Sequence, residues 1–505
     1  MTADRVATDA GAPEVVDADV VVDADVVVVG AGVGGLTVAF ELCRAGFDVI
    51  VCEASDAVGG LLRRGTVAGV DVDLGAESFA TRTDAVAALI RDAALELEVV
   101  APRPGGAFLA VATADGPVRA PLPRRTVLGI PADPLAADVV ALIGAEGAAR
   151  AAAERDLPPF APADAGEPSL HDLVAARSGE VVAARLVDTL CRSVYSRPAA
   201  DARLSDLHPG MWRALIEHGS LTAAAAQLAQ PTRAGAAVAG IAGGMWRLPV
   251  ALADAAQREG ARLMTRTAVR AVRVAPGGAL VVETDDGATL RARRVVVAIG
   301  PAAADRLLGA ATAADVEPAG PAERVRVVAA AIDHAGLDAF PVGSGVIVDP
   351  ALQSAAKALT HVSAKWPWAQ AALPAHRHLV RLSARDAGAE SPDSALDTPA
   401  AVARAVSVLT GVDVAPSDVR DLVVQDWVDA VAPGVTDPDT AAHHAADAAR
   451  GIHRTGAAVA GTGLASVVPH ARTLAASLAG ELTAETRPTR DSIHHATART
   501  ARSLA

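Results

Sequence analysis

Cysteine and aromatic residues are scarce in this chain. Three cysteines, Cys43, Cys52 and Cys191, are spread over 505 residues. An odd number with no metal-ligand spacing excludes a disulfide framework and points to a reducing compartment. Aromatics make up 2% of the chain, and the alanine-rich composition reads as a codon-composition bias that carries no function. No uncharged run reaches the ~18–20 apolar residues that a membrane-spanning helix needs. The opening MTADRVATDAGAPEVVDADV is acidic and lacks the basic-then-apolar order of a signal peptide. Basic residues are outnumbered, 45 Lys and Arg against 59 Asp and Glu, for a formal net charge of −14. That balance argues against nucleic acid as a partner, and a polyanionic substrate would need a local basic pocket. The expectation is a cytoplasmic protein without a transmembrane segment, with peripheral membrane contact left open.

With 51% hydrophobic and 21% charged residues, the chain can bury two or three domains' worth of core. Residues 1–24, with VVDAD repeated, read as a disordered acidic lead. Residues 25–53 read as strand, glycine turn, helix and strand. Val26–Val29 is the first strand, Leu36–Ala45 the helix with Gly46 to end it, and Asp48–Cys52 the second strand. Residues 101–235 show a mostly helical pattern broken by proline, with a loop at Pro158–Pro168 and a helix resuming at Ser169. Leu263–Val274 and Ala279–Thr284 look like paired strands around Pro276-Gly277-Gly278. Arg294–Ile299, Val325–Ile332, Gly345–Val348 and His378–Ser383 are further strands. Residues 456–480 return to strand, glycine turn and helix, and the polar basic tail 483–505 reads as solvated, with an acidic lipid or a partner as the alternative.

Gly30-Ala31-Gly32-Val33-Gly34-Gly35 fits G-x-G-x-x-G at Gly30, Gly32 and Gly35. The first glycine allows the tight turn, the second lets backbone approach a pyrophosphate, and the third lets the helix pack on the strand. The helix N-terminus then offers free N–H groups and partial positive charge to the anion. Glu53 follows at the end of the next strand, where a carboxylate accepts ribose hydroxyls and repels a 2′-phosphate. A dinucleotide is the implied ligand, with Gly30, Gly32, Val33, Gly34, Gly35 and Glu53 as its binding residues.

A second glycine pair, Gly59-Gly60, comes soon after Glu53, and Gly456–Leu478 (GAAVAGTGLASVVPHARTLAASL) supplies late glycines and a helix start. Both are similar to segments of the flavin amine oxidase superfamily. Within it, the chain resembles the oxygen-dependent, FAD-containing coproporphyrinogen III / protoporphyrinogen IX oxidases of actinobacterial type. The likeness rests on Asp73–Phe79 (DLGAESF), Leu122–Pro131 (LPRRTVLGIP), Arg185–Ser196, Gly243–Leu252 (GGMWRLPVAL), Ser363–Trp368 (SAKWPW) and Gly461–Val468. It departs at Leu61, where that family has a basic residue, at Arg192-Ser193 in place of two glycines, and across Asp426–Val435 (DWVDAVAPGV).

The resemblance implies an α/β fold: a Rossmann-type FAD-binding domain (glutathione-reductase-like/amine-oxidase-like), a mixed-sheet substrate domain and a helical domain. The expected divisions are 25–100, 236–300 and 440–482 for FAD, 101–235 for the helical roof over the pocket, and 301–439 for the substrate. It adds Gly59, Gly60, Arg63, Gly75, Ala76, Glu77, Val269, Val272, Gly461, Val467 and Val468 to the FAD-binding residues. It implies a flavin oxidation of a porphyrinogen by oxygen in haem biosynthesis, with peroxide released and hand-over to a ferrochelatase open. Lys365 and Tyr195 are the candidate catalytic residues, because a lysine near flavin N5 recurs in the superfamily and Tyr195 fits a pocket wall, with a core residue whose hydroxyl is satisfied as the alternative for Tyr195. Lys365 also fits a surface lysine beside an aromatic anchor. Arg64, Arg192, Arg197 and Lys357 are candidate partners for substrate carboxylates, with a solvated charge the alternative for each. His208, His361 and His453 are candidates only as groups that titrate near neutrality. No metal site is expected. A diverged flavin oxidase or desaturase of another apolar substrate, and a flavin-binding partner protein with little turnover, are the competing readings.

Overall fold

The computed structural model describes residues 21–486 except 163–165, 196, 230–237, 276–277, 310–323, 353, 386–394 and 429–437. Most of the acidic lead and most of the basic tail therefore lie outside the described residues.

Among the described residues, two seven-stranded sheets organise the fold. In the first, Val21–Val29 is central. Val49–Cys52 and then Arg262–Met264 lie on one side of it and Thr289–Val297 on the other, all parallel. Val26, Val27 and Val28 are fully buried, as a parallel strand covered on both faces requires. The hairpin Val269–Val274/Leu280–Thr284 and the strand Ile452–Arg454 extend the far edge of Thr289–Val297. The helix Val33–Arg44 packs between the first sheet and the helices Arg247–Arg258 and Leu464–Thr486. Phe40, Leu252 and Leu478 share one apolar core there.

The second sheet runs in the order Val419–Val428, Arg324–Asp333, Arg377–Arg385, Ala358–His361, Gly345–Val348, Phe108–Thr113, Gly116–Pro121. It is antiparallel apart from the contact between Gly345–Val348 and Phe108–Thr113. Asp333 ties three of its strands together, accepting from Arg377 at 2.7 and 2.9 Å and from Arg420 at 2.8 Å. The hydrogen bonds from Arg377 and Arg420 hold its carboxyl down at about 2. Its contribution is complete above the unfolded value of about 3.9 and fades as pH falls towards the folded value. An Asp333→Asn protein is expected to be less stable at pH 7 by about 1 kcal/mol. The gap should shrink below about pH 3, and melting curves at the two pH values check it.

A helical region built on Ala137–Ala152, Leu170–Ser178, Pro209–His218 and Leu221–Leu228 surrounds Leu142, Leu170, Leu186 and Met211. No helix among the described residues is long and apolar enough to cross a membrane.

The structure corrects several element readings. The first strand starts at Val21, inside the second VVDAD, because Thr289–Ala292 offers it backbone partners. Leu263–Val274 is two strands on opposite edges of the sheet, broken at Arg266, whose φ is +53°. The segment from 101 opens with strands, Phe108–Thr113 and Gly116–Pro121, paired into the second sheet; helix begins at Ala137. The late strand is Ile452–Arg454, and Ala457–Ala460 is a helical turn set off by Gly456 at φ +95°. The closing helix reaches Thr486, so the tail reading from 483 starts too early.

Candidate functional site

The glycine turn stands at the C-terminal end of the first sheet. Gly30 takes φ +101°, and its N–H donates to Cys52 O at 2.8 Å, which fixes the turn against the second strand. A Cβ on Gly35 would lie 2.2 Å from Gly30 O, so the helix seats on the strand end only without a side chain there. Gly32 caps the helix Val33–Arg44 with no side-chain cap, and a Cβ added to it meets nothing within 4 Å. An uncapped helix N-terminus facing open space is the cradle that a pyrophosphate fills.

The neighbouring segments converge on this turn. Gly59 forms a bridge with Gly32, its N–H donating to Ala31 O at 2.9 Å, and a Cβ on Gly60 would be 3.4 Å from Gly32 Cα. The second glycine pair thus doubles back over the first. From the other side, Gly34 faces Gly456 and Val467, with Val467 Cγ1 3.3 Å from where its Cβ would be. Val467 and Val468 are buried in the first turns of the helix that begins at Leu464, just after Gly461 and Gly463.

Glu53 is buried, and its oxygens accept from Ala31 N–H at 2.8 Å and Ser55 N–H at 2.9 Å. It lines a cavity of about 340 Å³ with Gly30, Val269 and Ile299. That volume is at the small end of ligand pockets, ~300–1,000 Å³. It suits the adenosine end of a dinucleotide. Val269 lines this cavity and Val272 does not, and both pack against the apolar core of the first sheet. The residues present therefore fit FAD.

The Asp73–Phe79 segment continues the path away from the glycine turn. Ala76 N–H donates to Leu61 O at 3.0 Å, Leu74 N–H donates to Arg63 O at 2.9 Å, and a Cβ on Gly75 would overlap Leu61 O. Asp73 accepts from the N–H groups of Met245 and Trp246, both at 2.9 Å. Burial pushes its carboxyl up to about 6, against the pull of those two N–H groups and of Arg381.

Glu77 meets Lys365 at 2.7 Å, Thr360 Oγ1 at 3.2 Å and Arg381 at 3.7 Å. Arg381 also donates to Gly75 O. Burial alone would raise the Glu77 carboxyl; Lys365 and Arg381 hold it below its ordinary value. The Lys365 side chain is 12% exposed, so it is not a surface lysine, although its ammonium also lies 5.0 Å from the Trp366 ring.

The other sequence candidates are dispersed. Arg64 is exposed, paired with Asp71 at 2.8 Å and lying over Trp246. Arg192 holds Asp188 at 2.6 Å, and Arg197 follows half-buried in the same region. Tyr195 ends a π-helical turn, Cys191–Tyr195, and its side chain lies outside the described residues. Lys357 precedes the strand Ala358–His361. His208 caps the helix Pro209–His218 and His453 is half-buried on its strand. His361 is buried against His378 at 3.1 Å, and burial pushes it down to about 3.

Sequence reasoning missed Thr360 and Arg381. The alternation along His378–Ser383 puts Arg381 on the face opposite Val380 and Leu382, which is the available signal. The divergent Asp426–Val435 stretch opens structurally: Asp426 pairs with Arg326 through two bonds of 2.6 and 2.7 Å, and Trp427 Nε1–H donates to Leu74 O at 2.8 Å. Residues 429–435 lie outside the described residues.

The coproporphyrinogen III oxidase of Mycobacterium leprae (strain TN) is 33% identical over 413 residues, which cover 80% of this chain and 86% of that protein. The Bacillus subtilis (strain 168) protein of the same name is 24% identical over 375 residues, 72% and 78% of the two chains. A candidate protoporphyrinogen oxidase of known structure from Exiguobacterium sp. 255-15 shares the fold at a TM-score of 0.74 and 20% identity, covering 91% of this chain and 99% of that one. The family model for flavin containing amine oxidoreductases matches residues 33–485, from the glycine helix through both sheets to the closing helix. The chain belongs to the flavin containing amine oxidoreductases, with FAD as its cofactor.

Proposed function

We propose that this chain oxidises a porphyrinogen with molecular oxygen, coproporphyrinogen III to coproporphyrin III first of all and protoporphyrinogen IX as a further substrate, in haem biosynthesis. The observation that carries the reading is the Glu77–Lys365 contact at 2.7 Å. It joins two of the segments on which the resemblance rests, beyond the second glycine pair on the cofactor path. The name shared by the Mycobacterium leprae and Bacillus subtilis relatives supports the same substrate.

FAD, when bound, would supply the redox chemistry, a two-electron oxidation at a C–H bond with oxygen as the acceptor and hydrogen peroxide as its product. Three rounds remove six electrons and six protons from the macrocycle and consume three oxygen molecules. The chain's own groups hold and orient. Glu77 fixes the Lys365 ammonium, with a proton on Nζ directed at Oε1. Arg381 pins the Gly75 carbonyl, and Trp427 pins that of Leu74. Arg64, Arg192, Arg197 and Lys357 are the proposed partners of substrate carboxylates. Arg64 and Arg192 would exchange Asp71 and Asp188 for the substrate. Tyr195 is proposed for the pocket wall. The proposed setting is cytoplasmic, with peripheral membrane contact and hand-over of the product to a ferrochelatase left open.

Purified protein with FAD, given coproporphyrinogen III in air, is expected to develop porphyrin fluorescence with peroxide release. No rise over a heat-killed control, from a preparation with a normal flavin spectrum, would overturn the substrate assignment.

A further inference from the structure

The cavity beside Glu53 has two arginines at its mouth that neither the sequence motifs nor the oxidase chemistry uses. We propose that Arg270 and Arg306 form a guanidinium clamp over the adenine of bound FAD, and that the clamp sets how tightly this chain holds FAD.

Two independent features of the backbone aim these side chains. Arg270 sits in a β-bulge: Val269 pairs with Thr284 and Ala271 with Glu283, so Arg270 is the extra residue. Neighbours on a regular strand point to opposite faces. The bulge re-aims one of them, and Val269 and Arg270 both line the cavity. The helix Pro301–Gly309, packed beside the strand Val269–Val274, contributes Ala303, Arg306 and Leu307 to the same cavity. That i, i+3, i+4 spacing is one helical face, and Ala303 leaves room for a flat ring beside it.

Both arginines are exposed, and neither has an ion pair or hydrogen bond among the described residues. Their neighbours do: Arg273 holds Glu283, and Asp305 is taken by Arg454. In a chain of net charge −14, two unpaired cations facing one cavity call for a ligand. A planar, weakly hydrated guanidinium stacks on aromatic faces. The purine ring is the aromatic part of the half of FAD that Glu53 and the cavity volume select.

The test is FAD release from diluted holoprotein, read by the recovery of free-flavin fluorescence, together with the dissociation constant on FAD add-back. Each of Arg270→Ala and Arg306→Ala is expected to weaken FAD by roughly threefold, and the double variant by about tenfold or more. The circular dichroism spectrum should stay that of the parent. Arg306→Lys keeps the charge and loses the plane, so it is expected to behave like Arg306→Ala. Full rescue by lysine would overturn the clamp in favour of simple attraction to phosphate. Unchanged FAD affinity in the double variant would overturn it outright. The readout needs no porphyrinogen, so it stands or falls apart from the substrate assignment.

Discussion

A Gly32→Val protein is expected to purify folded and colourless. Gly32 has φ −73° and ψ 172°, extended backbone that valine adopts readily, and its added Cβ meets no atom of the described residues within 4 Å. We infer that the open space beside it takes the pyrophosphate at the helix N-terminus, so the branched side chain would displace ligand and not protein. FAD affinity is expected to fall at least about a hundredfold, ~3 kcal/mol. Gly35→Val serves as the contrast. Its Cβ would stand 2.2 Å from Gly30 O, so that protein is expected not to fold. The two glycines belong to one motif, yet one guards the ligand and the other guards the packing of helix on strand. Flavin absorbance after gel filtration, with circular dichroism for folding, separates the two. A yellow Gly32→Val protein would overturn the reading of the cradle.

What could be read from the sequence was what the chain settles locally. Val26–Glu53 is strand, turn, helix and strand within one short segment, and its periodicities and glycines name their own conformations. Its ligand followed from Glu53 at a spacing that the fold fixes. The start of that same strand was not legible, because Val21–Ala24 owes its conformation to Thr289–Ala292, far along the chain. Phe108–Thr113 fell within a stretch read as mostly helical; it is a strand paired over its whole length with its sequence neighbour Gly116–Pro121 and, at its start, with the distant Gly345–Val348. The site divides in the same way. Lys365 and Glu77 were each singled out, one as a catalytic and the other as a cofactor residue. Their contact, across 288 residues of sequence, exists only once the Asp73–Phe79 segment lies against the second sheet. Arg270 was hidden because a bulge breaks the alternation by which strands are read.

Replacing Glu77 by leucine is expected to destabilise the protein by about 3–5 kcal/mol, because it strands two cations. The side chains of Glu77, Lys365 and Arg381 are only 14%, 12% and 16% exposed, so solvent does little to screen what is left. Lys365→Met leaves Glu77 with Arg381 still beside it, and its cost should be smaller. Its main effect should fall on turnover, about a hundredfold or more, with FAD retained. The double variant Glu77→Leu/Lys365→Met removes one charge of each sign and is expected to be more stable than Glu77→Leu alone. The pH dependence gives a second handle. Glu77 is held below its ordinary value by Lys365 and Arg381, so its contribution is full above the usual glutamate range and is lost as pH falls through the folded value. Asp73, raised by burial to about 6, acts in the opposite sense and withdraws stability as pH climbs from about 4 to 6. Denaturant midpoints for the two single variants and the double variant at pH 7 decide the matter. If Glu77→Leu is as stable as the parent, Lys365 and Arg381 do not depend on Glu77. The buried charged cluster that anchors the proposed chemistry would then not be held together by Glu77.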